Sequence, residues 1–167
     1  MEKKTNKNKL KNPRMEKVVV NVGVGKISQQ QNFEDKILPE IIDSLSSITG
    51  QKPVVCKTIK SIAGFKLRAG QIVGLKITLR RKKMRDFLER LINIALPRVR
   101  DFRGIKIENV DKNGGLTIGI KEHIVFPEIN SDVARFDFGL EISMVSNAKT
   151  REEAIDLYKL IGIPFKK

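Results

Sequence analysis

Alternating apolar and polar residues predict five short β-strands along the chain. They fall in the segments EKVVVNVGVG, PVVCK, QIVGLKITLRR, GLTIGIK and FDFGLEISMVS. Because successive side chains of a strand point to opposite faces, the longer segments have an apolar face and a second face of different character. In the first and third segments, that second face carries small, hydrogen-bonding or cationic side chains: Asn21, Gly23, Gly74, Lys76, Thr78 and Arg80.

A helical repeat of apolar residues predicts the remaining elements. One helix covers residues 33–50, and Pro39 within it predicts a kink or a break. A second helix covers residues 82–96 and ends at Pro97. A third covers residues 150–162 and begins with a Thr–Glu capping box.

These elements predict the α+β class, with a single domain over residues 15–167. We expect a mostly antiparallel sheet of about five strands, helices packed on one of its faces, and a protruding basic loop. Residues 1–14 are rich in Lys and Asn, which predicts a flexible basic tail that orders on a polyanion.

The charge of the chain indicates a polyanionic partner. The sequence has 33 Lys and Arg residues against 19 Asp and Glu, which gives a net charge of +14. A domain this basic usually binds nucleic acid. No acidic residue lies between Asp43 and Asp86, so the middle third carries most of the positive charge. The single cysteine, Cys56, excludes an intrachain disulfide, and no apolar run reaches membrane-spanning length.

Helices in this number can cover only one face of the sheet, which leaves the polar face open. Its side chains suit RNA, because Lys and Arg neutralise phosphates while Asn and Thr bond 2′-hydroxyls or base edges. The alternative is an ordinary solvated face, since many antiparallel sheets leave one polar face to water. The lack of acidic residues over 44–85 favours RNA.

The segment KTIKSIAGFKLRAGQ, residues 57–71, is the predicted protruding loop and is called the basic loop below. Phe65 lies in it between Gly64 and Lys66, and an aromatic ring in such a loop can stack on a base or a ribose. The alternative is that Phe65 folds back and fills the core beneath the loop. Gly64 and Gly70 would let the loop bend sharply.

The sequence contains no recognisable catalytic, metal or cofactor site. The segment GVGK lacks two residues of a phosphate-binding loop, since Val20 and Ile27 stand where Gly and Ser or Thr are required. His123 is the only histidine, and with one distant cysteine it gives no metal cluster and no nucleophile–base pair. We interpret it as a structural or surface residue. Two rival functions are a general chaperone of structured RNA and a nucleotide-using enzyme built on GVGK.

Seven longer strings carry a resemblance to a known family: RMEKVVVNVGVG, ITGQKPVV, KSIAGFKLRAG, GLKITLRR, FLERLINIALPRVRDFRG, LTIGIKEHIVFPEI and AKTREEAIDLYKLIGIPFKK. They closely resemble the bacterial-type large-subunit ribosomal protein five family, which binds 5S ribosomal RNA, and the match covers nearly the whole chain. The resemblance implies a sheet backed by helices, with its concave face on that RNA. The residues that it implies as RNA contacts are Asn21, Gln51, Phe65 and Thr78, to which the strand pattern adds Lys76 and Arg80.

The resemblance also implies a set of ribosomal partners. The protein would sit in the central protuberance of a cytoplasmic or organellar ribosome, contact large-subunit RNA and bridge to a protein of the small-subunit head. The basic loop would face the transfer RNA in the peptidyl site through Lys60, Ser61, Gly64, Lys66 and Arg68. No cofactor, membrane or small-molecule substrate is implied. Family members often carry a longer helical stretch before the first strand than this chain does.

Overall fold

Five antiparallel strands form one sheet in the computed structural model, which describes residues 13–65, 67–130 and 136–166. The strands are β1 (Met15–Gly23), β2 (Val54–Lys57), β3 (Ile72–Leu79), β4 (Leu116–Ile120) and β5 (Leu140–Ser146). Their order in space is β2-β3-β1-β5-β4. The first strand is therefore central, paired with β3 on one side and β5 on the other. The predicted class, strand number and antiparallel pairing are confirmed.

The helices lie on one face of this sheet. They are α1 (Leu38–Thr49), α2 (Arg81–Arg90), α3 (Leu96–Arg98) and α4 (Arg151–Ile161). α1 contacts β3, α2 contacts β1, and the hydroxyl of Tyr158 in α4 reaches the carbonyl of Met144 in β5. The alternating valines of β1 point into the interface with the helices and are at most 2 % exposed. The opposite side of the sheet, called the open face below, carries no helix among the described residues.

Both prolines in the helical region follow a wide helical turn. Phe33–Ile37 forms a π-helical turn that leads into α1, and Leu91–Ala95 forms another between α2 and α3. Each turn ends two residues before a proline, Pro39 or Pro97. A proline ring clashes with the carbonyl four residues earlier in a regular α-helix, and a π turn widens the helix at that carbonyl. The break predicted near Pro39 thus precedes the proline, and the second helix continues one residue beyond Pro97.

The start of β3 departs from the predicted alternation. Ile72 is buried, whereas Val73, which the pattern assigned to the apolar face, is only half-buried. The pairing with β2 runs from Gly74 directly to Ile72, so Val73 is an extra residue on β3. Such a bulge moves the inward position by one residue. The inward orientation predicted for Val73 is therefore wrong, and the regular open face of β3 begins at Gly74.

His123 is buried, so of the structural and surface roles that the sequence left open, the structural one applies. Its side chain is 1 % exposed, and Nδ1 lies 3.1 Å from a carboxylate oxygen of Asp137. The imidazole also stacks on Phe138, with ring centroids 4.0 Å apart. These contacts join the segment after β4 to the segment that leads into β5.

The beginning of the described chain is attached to the end of β5. The backbone N–H of Arg14 donates to the side-chain oxygen of Asn147 at 2.6 Å, and the N–H of Asn147 donates to the carbonyl of Arg14 at 3.1 Å. Residues 1–12, most of the predicted tail, lie outside the described residues, so the boundary at residue 14 stays a prediction. None of the described helices is long and apolar enough to cross a membrane.

Replacing Thr150 with alanine is expected to lower the free energy of unfolding by about 1 kcal/mol, because this residue caps α4. Its hydroxyl oxygen accepts the backbone N–H of Glu153 at 3.3 Å, and the Glu153 carboxylate accepts the N–H of Lys149 at 3.0 Å. Urea unfolding of Thr150→Ala measures the loss. Lys149→Ala is the control, since only the Lys149 backbone is used. An unchanged midpoint for Thr150→Ala would contradict the cap.

Candidate nucleic-acid interface

The open face is an ordered array of side chains fixed by the strand register. Asn21 on the central strand lies opposite Lys76 on one side and Glu141 on the other. Two neighbouring rows therefore cross the middle of the sheet: Lys76, Asn21 and Glu141 in the first, and Thr78, Val19 and Ser143 in the second. Neighbouring residues within a row lie on adjacent strands and are therefore about 5 Å apart.

None of the sequence-predicted residues on this face turns into the core. Asn21 and Thr78 are half-buried between their strand neighbours, and Lys76 and Arg80 are exposed. A side chain added at Gly23 would meet no atom within 4 Å, so a ligand can approach the backbone there. The arrangement leaves amide, hydroxyl and ammonium groups available on one continuous surface, which is what a folded polyanion requires.

Gln51 sits beside this array although it belongs to no strand. Its side-chain N–H donates to the carbonyl of Thr78 at 3.4 Å. The turn that carries it begins at Gly50, which ends α1 in the left-handed region with φ of 67°. The ammonium of Lys83 donates to the Gly50 carbonyl at 2.9 Å and so ties this turn to α2. The end of α1 therefore places Gln51 next to Thr78, which strand periodicity could not reveal.

Internal hydrogen bonds shape the basic loop. The backbone N–H groups of Thr58 and Gly70 cross-connect its two arms, pairing with Gln71 and Thr58 at 2.9 Å each. Gln71 in turn donates to the hydroxyl of Ser28, which ties the loop to the turn after β1. Gly70 has a φ of 83° and thus requires glycine, whereas Gly64 has no such backbone conformation. Of the two predicted bending points, Gly70 alone depends on left-handed backbone.

The tip of the basic loop presents apolar and cationic groups together. Phe65 is 70 % exposed, which excludes the alternative that it fills the core beneath the loop. Ile59 is 92 % exposed, and the remaining predicted loop residues among those described are exposed as well: Lys60, Ser61, Gly64 and Arg68. The hydroxyl of Ser61 accepts the backbone N–H of Ala69 at 3.0 Å, so Ser61 also braces the loop. Lys66 lies outside the described residues.

The half of the open face on β5 and β4 differs in charge from the half on β3 and β2. Glu141 is exposed near the start of β5, and the hydroxyls of Thr117 and Ser143 lie 3.3 Å apart on the neighbouring strands. The sequence reasoning did not select Thr117 or Ser143, although the alternation of LTIGI and LEISMVS places both outward. The cationic part of the face is thus confined to β3, β1 and the basic loop.

The described residues offer no arrangement for metal or nucleotide chemistry. No group of three or more His, Cys, Asp or Glu side chains in these ranges could hold a metal ion. The GVGK segment ends β1 and is followed by a single 3₁₀ turn at Ile27–Gln29. A phosphate-binding loop of that kind opens directly into a helix, so this geometry does not match one.

Comparisons with known proteins identify the family. A family model described as ribosomal protein L5 matches residues 8–68, and a second model, described as the C-terminus of the same ribosomal family, matches residues 72–165. Three curated relatives are each named large ribosomal subunit protein uL5. The one from Halothermothrix orenii is 49 % identical over 92 % of this chain and 83 % of its own length.

The other two relatives agree with the first. The Syntrophomonas wolfei protein is 50 % identical over 99 % of this chain and 91 % of its own length. The Chlorobaculum tepidum protein is 49 % identical over 93 % of this chain and 82 % of its own length. The chain therefore belongs to the ribosomal protein L5 family, a family of structural proteins of the large ribosomal subunit and not of enzymes.

Proposed function

We propose that this chain anchors 5S ribosomal RNA in the large subunit by holding the RNA across the open face. The observation that carries the proposal is the uncovered row of Lys76 and Asn21 beside Thr78 and Gln51. Phosphates would be neutralised by Lys76, Arg80 and the cations of the basic loop. Asn21, Gln51 and Thr78 would bond sugar hydroxyls or base edges and fix the register of the RNA.

The basic loop supports a second contact, to the transfer RNA in the peptidyl site and to large-subunit RNA. Phe65 is exposed among cations, and an exposed aromatic ring contributes about 1–3 kcal/mol when a base stacks on it. The exposed Lys60 and Arg68 would supply the charge for the adjacent phosphates, and Ser61 would hold the loop in shape. In this proposal Gly64 keeps the tip free of a side chain where the RNA approaches.

The less basic third of the chain suits a protein contact, which we assign to the small-subunit head. Residues 111–167 carry eight Lys and Arg against nine Asp and Glu, whereas residues 51–110 carry sixteen against four. This surface, which includes Glu141, is nearly neutral. It would attract RNA far less than the basic loop does, although it would not repel RNA as strongly as an acidic surface would. The two halves would then serve two kinds of partner.

Asn21→Ala and Thr78→Ala are each expected to weaken 5S RNA binding by about 1–2 kcal/mol, or roughly 5- to 30-fold. Each substitution removes a hydrogen-bonding group from the open face without adding charge. A filter-binding titration with purified full-length protein and labelled 5S RNA measures the change. Unchanged affinity of both variants would reject the assigned face.

The matched control is Asn109→Ala, which removes an exposed amide from the short helical turn before β4, outside these rows, and it should bind like the unmodified protein. An unrelated structured RNA of similar length serves as competitor. Weak competition supports a dedicated 5S contact. Equal competition would instead favour the chaperone of structured RNA.

A further inference from the structure

We propose that a groove between α2, α4 and the start of β1 docks an acidic amphipathic helix from a protein partner. This α2–α4 groove has a volume of about 890 Å³ and lies on the helical side of the molecule. Arg80 lines the groove and also belongs to the open face, but none of the other residues assigned to the RNA contact lines it, so the inference does not depend on that contact.

The floor of the groove is aliphatic. It is lined by Met84, Leu88 and Ile92 from the α2 side and by Leu157 and Ile161 from α4. Leu160 lies on the same helix between Leu157 and Ile161 and is 86 % exposed, although it does not line the groove itself. An apolar groove of this kind can receive the apolar face of an amphipathic helix.

The length of the groove fits a helix of about three turns. The lining residues run from Arg81 to Asn93 along the α2 side, which corresponds to about 18 Å at the rise of a helix. Helix-in-groove recognition uses anchors at positions i, i+3, i+4 and i+7, which span about 10–11 Å and therefore fit within the groove.

The rim of the groove selects for negative charge. Four arginines line it, namely Arg14, Arg80, Arg81 and Arg85, against two acidic residues, Glu16 and Glu89. The first turn of α2 contains no acidic residue, and its N-terminus has no side-chain cap. Carboxylates are favourable near such an N-terminus, so acidic flanks on a docked helix would complement both the arginines and the helix end.

Two other occupants fit the groove less well. The chain's own residues 1–12 directly precede the lining residue Pro13 in the sequence, but they contain five lysines and one glutamate and would add positive charge to a positive rim. RNA would complement the arginines. However, no groove-lining residue that the structure describes is aromatic, so the aliphatic floor offers no surface on which a base could stack.

The test is binding of a labelled, helix-stabilised peptide of about twelve residues to the full-length protein, followed by fluorescence anisotropy. The peptide has leucines on one face and glutamates on its flanks, and a matched peptide has lysines instead of glutamates. We expect saturable, salt-sensitive binding of the glutamate peptide alone. The double variant Arg81→Glu with Arg85→Glu should weaken it at least about tenfold. Ile161→Glu should do the same by placing a charge on the floor.

The control variant is Lys112→Glu, an equal type of charge reversal in an exposed turn, and it should bind like the unmodified protein. Circular dichroism and thermal unfolding confirm that each variant is folded. Absence of glutamate-peptide binding, equal binding of both peptides, or binding unaffected by the arginine reversals would overturn the proposal. Peptide binding that appears only after residues 1–12 are removed would also overturn it. The same holds if Ile161→Glu lowers the affinity for an RNA hairpin but leaves the affinity for the glutamate peptide unchanged.

Discussion

Replacing Phe87 with alanine is expected to lower the free energy of unfolding by about 3–5 kcal/mol. Phe87 lies on the inner side of α2 and is completely buried. Its ring stacks on Phe126, with centroids 6.1 Å apart and planes inclined by 22°. Truncation leaves a cavity under the helix that supports β1, and the surrounding close-packed core relaxes only partly to fill it. Urea unfolding followed by circular dichroism measures the loss.

Phe65→Ala is the matched control for this prediction. The same side chain is removed, but from a position that is 70 % exposed, so the free energy of unfolding should change by no more than about 0.5 kcal/mol. Comparable destabilisation by the two substitutions would contradict both the burial of Phe87 and the exposure of Phe65. A Phe65→Ala protein of normal stability is also suitable for measuring RNA affinity.

Tyr158 is expected to titrate near pH 12, well above its ordinary value of 10.0. Burial raises the pKa of the Tyr158 hydroxyl to about 12, and the carboxylate of Asp111 acts in the same direction. Because the raised pKa means that the folded protein favours the neutral phenol, the contribution of Tyr158 to the free energy of unfolding is complete below pH 10. It is lost as the pH rises from 10 to about 12. Two pKa units correspond to about 2–3 kcal/mol.

The measurement is direct, because the chain has one tyrosine and no tryptophan. Near-ultraviolet absorbance of tyrosinate therefore reports Tyr158 alone. In Tyr158→Phe, the part of the alkaline stability loss that belongs to this group should disappear. At neutral pH that variant should lose about 1–3 kcal/mol, since the Gly114 carbonyl loses a donor at 2.7 Å. An absorbance midpoint at the ordinary pKa in folded protein would refute the assignment.

Period-two alternation predicted the orientation of three polar side chains on the open face. It placed Asn21, Lys76 and Thr78 outward, because a strand with one buried face fixes the orientation of every residue along it. The same rule failed at Val73, where an extra residue enters β3. A bulge depends on how two strands pair, and alternation within one strand contains no information about its partner.

Contacts between distant segments also escaped the sequence pattern. Gln51 reaches the carbonyl of Thr78, and Lys83 reaches the carbonyl of Gly50. The sequence pattern indicates an ordinary turn residue at Gln51, and only the family resemblance predicted it as an RNA contact. The α2–α4 groove is a further case, since its walls come from three elements whose relative placement depends on the packed core. Met84 and Leu88 belong to the apolar repeat of the helix predicted over residues 82–96, but that repeat could not show that a depression remains above them.

The central position of β1 has a consequence for folding during synthesis. Val20 pairs with Ile142, so about 120 further residues must be synthesised after β1 before its neighbour β5 is available for pairing. A nascent chain that ends before residue 140 has an unpaired central edge and an incomplete valine-rich layer, both of which favour aggregation. Folding of this sheet is therefore completed only after β5, which ends at Ser146, has been synthesised.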